Sequence, residues 1–280
     1  MVMTRFRLEC RDGECLEASK WHDETAAPIG TVVIVHGLGE HFGRFEHLAL
    51  EFVKKGFCVY SFDQRGHGRN SGKYGHVQDY SLLMDDIGSM LETARLESGG
   101  MPCILYGHSL GGNEVLNYLL DHPDCVSAAI VSSPWIRLYV QPSERLTRII
   151  RIIERLKPDF TFSNGIKLKL TTNNNKIIIK TETDKLFHKR ISARLAIQAF
   201  EAGERALEHA EDIRIPVLLM HGTDDKITSF DASRELSIRA NDNIHFKSWK
   251  GMYHELHNDT DSETVINYMC EWAIGILGNR

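Results

Sequence analysis

Three residue types, far apart in the chain, could together perform acyl transfer. Ser109 stands in Gly107-His108-Ser109-Leu110-Gly111, a G-x-S-x-G pattern between the apolar run 103–106 and a stretch of helical spacing. A serine hydroxyl is a weak nucleophile at neutral pH and needs a general base beside it. His254 can take the proton and later return one to the leaving group, and an aspartate can fix the imidazole tautomer and stabilise the imidazolium. Asp225 is the candidate for that carboxylate and Asp224 its rival; both lie in His221-Gly222-Thr223-Asp224-Asp225-Lys226. A strand feeding straight into a helix turns sharply, and Gly107 and Gly111 leave out side chains that would collide across the turn. Ser109 would then stand at the corner with its hydroxyl exposed.

The elements that must position these groups read as an alternation of strand and helix. Residues 4–8 and 14–21 alternate weakly around Asp12-Gly13 and predict an antiparallel hairpin. The runs 31–35, 57–62, 103–106, 126–132, 215–220 and 244–247 are short, apolar and rich in β-branched residues, as in a parallel sheet buried on both faces. Helical spacing predicts helices over 45–55, 80–96, 110–120, 191–207, 229–238 and 264–277. This is an α/β fold, with a mostly parallel sheet flanked by helices. In such sheets ligands meet the carboxyl ends of the strands. Ser109, Asp225 and His254 each follow a strand, so all three can converge there, in the chain order expected of an α/β-hydrolase fold.

A tetrahedral intermediate also needs hydrogen-bond donors for its oxyanion. The amide of Leu110, directly after the nucleophile, is one candidate. Leu38, in the loop His36-Gly37-Leu38-Gly39 after the first long strand, supplies the other.

The alternation breaks after Pro134. Residues 135–190 contain no apolar run like the other strands, and we read them as a lid inserted into a single domain spanning 1–280. Residues 143–157 have Leu146, Ile149, Ile150, Ile153 and Leu156 on one side, with Arg145, Arg148, Arg151 and Arg155 mostly on the adjoining one. Such a stripe either packs on the domain and lines a pocket or touches a lipid surface transiently.

Composition narrows the function classes. The 280 residues carry a net charge of −5 and have no basic tail, which gives no reason to expect a nucleic-acid partner. The N-terminal residues lack the apolar core of a secretory signal, and the six cysteines form no C-x-x-C pair, so a cytoplasmic location with reduced thiols is expected. Gly37-x-Gly39 followed by Asp63 imitates a dinucleotide-binding turn, but Phe42 stands where the third glycine belongs. His254-Glu255-Leu256-His257 has the wrong spacing for a zinc hydrolase. No metal or organic cofactor is expected.

With these residues in hand, the chain resembles the monoacylglycerol lipase and lysophospholipase group of the α/β-hydrolase superfamily. The matching stretches are His36-Gly37-Leu38-Gly39-Glu40-His41 with Arg44-Phe45, Asp63-Gln64-Arg65-Gly66-His67-Gly68 with Ser71-Gly72, Gly107 to Gly112, His221 to Lys226, and Tyr253 to His257. They cover nearly the whole core. The lid matches weakly, around Leu186-Phe187-His188 and Ile191 to Arg194, and is unusually rich in lysine over 167–190. The resemblance implies that Asp225 is the acid. It further implies that Glu40, Arg44 and His257 contact the glycerol of a monoglyceride, with a structural Glu40–Arg44 ion pair as the alternative. The expected activity is hydrolysis of esters of single-chain lipids, foremost monoacylglycerol to fatty acid and glycerol. A short-chain carboxylesterase, thioesterase or lysophospholipase would use the same triad.

Overall fold

The computed structural model describes residues 1–278 and opens with the expected hairpin. Strands β1 (Val2–Glu9) and β2 (Cys15–His22) pair antiparallel from Val2 with His22 to Glu9 with Cys15. Then β3 (Gly30–Val35), α1 (Glu46–Lys54), β4 (Phe57–Phe62), α2 (Ser81–Glu97), β5 (Cys103–His108), α3 (Leu110–Asp121) and β6 (Ala128–Ser132) alternate. The segment between Ser132 and Ala193 holds α4 (Glu144–Leu156), β7 (Thr161–Ser163), α5 (Asn175–Glu182) and β8 (Arg190–Ser192). The alternation resumes with α6 (Ala193–Glu208), β9 (Val217–Gly222), α7 (Phe230–Arg239), β10 (Ile244–Trp249) and α8 (Ser262–Gly278).

One eight-stranded sheet runs in the order β1-β2-β4-β3-β5-β6-β9-β10. The pairs β1–β2 and β2–β4 are antiparallel, and every other pair is parallel. Successive strand side chains point to opposite faces, so the apolar runs feed two cores. Val33, Val35, Tyr60, Phe62 and Leu105 pack with Ile87 of α2, Leu116 of α3, Leu195 of α6 and Leu236 of α7. Val32, Ile34, Val59, Ile104 and Tyr106 pack with Phe52 of α1 and Met269 of α8. Strands β3, β4, β5, β6 and β9 are covered on both sides, which is why they read as continuous apolar runs.

Several boundaries differ from the residue pattern for local reasons. Strand β9 begins at Val217 and extends through Gly222, whereas the apolar run predicts 215–220. Pro216 has no N–H for the ladder; its carbonyl still accepts from the Ala129 amide at 3.0 Å. Strand β10 runs two residues past the predicted 247, to Trp249. The polar stretch 171–175 leads into α5, capped by the Asn174 side chain, which accepts from the Lys176 amide at 3.1 Å. β7 and β8 form only a two-stranded antiparallel pair, separate from the main sheet.

Candidate active site

Strand β5 ends at His108 and α3 begins at Leu110, so Ser109 alone makes the corner. Its backbone sits at φ 56°, a region costly for a non-glycine residue. The turn is tight because backbone passes where side chains would be. A Cβ on Gly107 would meet the Gly111 carbonyl, and one on Gly111 would meet the carbonyls of Val35 and His36. The Ser109 amide donates to the Ser132 carbonyl at 3.0 Å, which ties the corner to the end of β6.

The structure brings Ser109, Asp225 and His254 together, although 116 and 29 residues separate them along the chain. Ser109 Oγ lies 3.0 Å from His254 Nε2, and His254 Nδ1 lies 2.8 Å from Asp225 Oδ2. The carboxylate at Nδ1 puts the proton on that nitrogen and leaves Nε2 to accept from the serine hydroxyl. Asp225, not Asp224, faces the histidine; Asp224 is exposed and accepts from the Thr223 hydroxyl at 2.9 Å.

Asp225 is fully buried and heavily served by donors. Its Oδ1 accepts from the amides of Ile227 at 2.7 Å and Thr228 at 3.1 Å. Its Oδ2 lies within reach of His254, of the Thr228 hydroxyl at 2.9 Å and of His221 Nε2 at 3.0 Å. Burial alone would raise its pKa. The His254 charge and the hydrogen bonds from His221 and His254 outweigh burial and hold the carboxyl far below the usual range. Burial would push His254 down, but the adjacent Asp225 carboxylate raises it above its ordinary value. His108 packs against the His254 ring at 4.8 Å, and burial pushes it down to about 3, so it stays neutral beside the base.

Leu110 is the first residue of α3, so its amide has no acceptor within the helix. Leu38 sits across the nucleophile in the loop after β3 and lines the same cavity. That loop is held by Glu40: its Oε2 accepts from the Gly37 amide at 2.9 Å, and its own amide donates to the Gly37 carbonyl at 3.2 Å.

The cavity above Ser109 has a volume of about 890 Å³. Its walls are mainly apolar and come largely from the segment between β6 and α6, with Leu146, Ile149, Ile150, Ile153, Phe160 and Phe162 among them. Its polar end carries Glu40 and Glu255. Arg44 and His257, expected to contact substrate, do not line it. Arg44 is buried behind Glu40 and uses its donors on Glu40 Oε1 at 2.8 Å, Thr181 Oγ1 at 2.6 Å and Glu255 Oε2 at 2.8 Å. His257 is fully buried, stacked on Phe45 at 4.6 Å and set against His108 at 4.9 Å. Burial, then the neighbouring His108 and His47, hold it well below its ordinary pKa. Glu40, Glu255 and His257 bring three ligand atoms within 4.8 Å of one another, but the Arg44 guanidinium is already paired with both carboxylates.

Glu255, His221 and Thr228 are the residues of this site that the residue pattern did not single out. Asp63, the acid of the apparent dinucleotide turn, instead caps two loops, accepting from the amides of Phe42 and Arg69 at 2.8 Å each.

A family model described as "Serine aminopeptidase, S33" matches residues 26–261. An uncharacterized abhydrolase domain-containing protein of Dictyostelium discoideum is 36% identical over 97% of this chain, which spans 29% of that protein's length. A monoacylglycerol lipase of Mycolicibacterium smegmatis is 29% identical, with 92% of each chain covered. The crystal structure of a Paleococcus ferrophilus monoacylglycerol lipase superposes with a TM-score of 0.85 at 34% identity, covering 95% of this chain and 99% of the other. The chain therefore belongs to the serine aminopeptidase S33 family of α/β-hydrolases and is a serine ester hydrolase of the monoacylglycerol lipase type.

Proposed function

We propose that the chain cleaves esters of single-chain lipids, foremost monoacylglycerol to fatty acid and glycerol, through an acyl-enzyme on Ser109. The observation that carries this reading is the cavity: a mainly apolar space of about 890 Å³ has the nucleophile Ser109 and the carboxylates of Glu40 and Glu255 in its wall. An acyl chain fits the apolar walls, and vicinal hydroxyls can donate to Glu40 and Glu255. Arg44 acts from behind, by pairing with both carboxylates and fixing their orientation. His257 acts at one further remove, as packing beneath His108 and Phe45.

In this reading Ser109 Oγ attacks the ester carbonyl as His254 Nε2 takes its proton. The amides of Leu38 and Leu110 receive the oxyanion, and Asp225 stabilises the imidazolium. Collapse breaks the ester C–O bond, and the alcohol leaves with the proton from His254. Water then attacks the acyl group with His254 as base and releases the fatty acid. The step needs no group beyond these residues and water.

The segment over 135–190 is the lid of this site. Leu146, Ile149 and Val140 line the cavity and are also 47%, 45% and 73% exposed, so the entrance has an apolar rim. Arg145, Arg148 and Arg155 stand beside it on α4, which supports transient contact with a lipid surface. Among the described residues no helix is long and apolar enough to cross a membrane. All six cysteines are free, which fits the cytoplasmic location proposed here. Lys167 and Lys226 in the cavity wall favour a second substrate class, lysophospholipids.

The test is hydrolysis of monoacylglycerols of graded chain length beside matched p-nitrophenyl esters and a lysophospholipid, with Ser109→Ala as blank. Preference for medium or long monoglycerides is expected. Turnover confined to short aryl esters would replace this reading with a general carboxylesterase.

A further inference from the structure

The loop that carries Leu38 is gripped from outside by one residue of the covering segment, His188. The His188 amide donates to the Gly39 carbonyl at 3.0 Å. Gly39 sits at φ 81°, and a Cβ there would run into the His188 carbonyl, so the two backbones lie against each other. The ring is fixed as firmly as the backbone. Its Nε2 donates to the Gly66 carbonyl at 3.0 Å, and its Nδ1 accepts from the Arg190 amide at 3.2 Å. It is sandwiched between Tyr74 and His67, each with ring centroids 4.8 Å away. His67 in turn lies edge-on to His36, the residue before Gly37, at 5.3 Å. Burial pushes His188 down to about 4, so the ring is neutral over the working pH range and keeps Nδ1 as an acceptor.

We propose that His188 is a positioning residue for the oxyanion donors: it holds the 37–40 loop in working shape, so Ser109 is competent only while the part of the lid carrying His188 is docked. The proposal rests on the oxyanion and lid assignments above, but not on the identity of the lipid substrate. The physical reason is that an oxyanion donor works only at hydrogen-bond distance from where charge develops. Glu40 braces this loop from within, and His188 is the brace from the lid side. Ties at Ser192 to Gly75 (2.8 Å) and at Asp184 to His41 (2.8 Å) dock the same stretch without touching Gly39.

The test uses the full-length protein with p-nitrophenyl butyrate and an alkylboronic acid, whose tetrahedral adduct on Ser109 mimics the intermediate. His188→Ala should lower kcat by about tenfold or more, short of the 100- to 1000-fold for losing a whole oxyanion donor. Boronate affinity should fall by a similar factor, while KM and the acid limb of the pH profile stay in place. His188→Gln, whose amide can still donate to Gly66, should recover most of the loss. His188→Phe, which keeps the stacking but not the donor, should not. Asp184→Asn serves as the control for general loosening of the lid and should change boronate affinity less than twofold. Should His188→Ala fail to fold, the folded Gln and Phe variants decide alone. Equal kcat and boronate affinity in those two would overturn the proposal. So would a His188→Ala enzyme that loses only thermal stability. Failure of the monoglyceride reading would show instead in the lipid assay, with these results unchanged.

Discussion

The loops at the carboxyl ends of β5, β9 and β10 and the segment from 133 to 192 wall the same cavity by different physics. In the loops the functional groups are buried, and their positions are over-determined by backbone donors. Asp225 receives amides from Ile227 and Thr228 besides its histidines, and Ser109 is pinned to Ser132. The covering segment instead presents large apolar side chains on both of its sides. Leu146 and Ile149 face cavity and exterior at once, and the salt bridge from Arg151 to Glu201 at 2.6 Å is solvent-exposed. Exposed pairs of that kind contribute little to stability. The contrast separates a rigid part, fixed by buried donors, which carries the reactive groups, from the amphipathic helix α4, which forms a partly exposed apolar wall of the cavity.

Breaking the rigid side should have the largest effect. Ser109→Ala should reduce turnover by about a millionfold while leaving the fold intact; residual activity near wild type would place the nucleophile elsewhere. Asp225→Asn should lower kcat by about 10,000-fold, because an amide cannot impose the working tautomer. The carboxylate raises the His254 pKa, so its loss should also move the acid limb of kcat/KM to lower pH. An unmoved limb would mean that Asp225 does not govern the base.

Arg44→Met tests whether the polar end is held from behind. It strands two buried carboxylates, and unfolding in denaturant should show a loss of about 3–5 kcal/mol. Activity on both esters should fall, because Glu40 also braces Gly37, and it should fall further on monoglyceride, whose hydroxyls Glu40 and Glu255 receive. Unchanged activity on both would mean that the carboxylates keep their places without Arg44.

On the other side of the comparison, a Leu146→Ser and Ile149→Ser double variant should raise KM for long-chain monoglycerides about tenfold, the cost of wetting roughly two methylenes' worth of apolar contact. Hydrolysis of p-nitrophenyl acetate should stay unchanged. Equal effects on both would make α4 part of the rigid machinery.

The last effect concerns stability alone and probes a poorly served carboxyl on the helix that follows Ser109. Glu114 on α3 is fully buried, and among the described residues neither of its oxygens has a partner. Burial raises its pKa well above 4.5, so the folded chain keeps a proton that the unfolded chain releases. The stability this neutral carboxyl permits is full below about pH 4.5 and falls as pH rises. Glu114→Met should therefore stabilise by about 1–3 kcal/mol, with a larger gain at pH 8 than at pH 5 in thermal melts.

Much of this was legible along the chain because it rests on local pattern. The run 57–62 coincides with β4, and G-x-S-x-G between strand and helix places Ser109, because both follow from side-chain periodicity and backbone sterics. Residues 176–180, inside the segment read as a lid, belong to α5, whose first turn is capped by the Asn174 side chain. The resemblance implied substrate contact for Arg44 and His257, but sequence shows residue type and order, not which side of a wall a side chain occupies.

The parallel α/β architecture, the order of the reactive residues and the turns that carry them can be read along the chain. These depend on contacts within one element or one corner. That Glu255 joins Glu40 at the cavity, that His221 shares Asp225 with His254, and that His188 grips Gly39 emerges from the folded chain. Each of those meetings joins loops that are distant in sequence or fixes which atoms of close neighbours face each other. Their positions follow from how the sheet twists and how the covering segment docks, and no residue period records either.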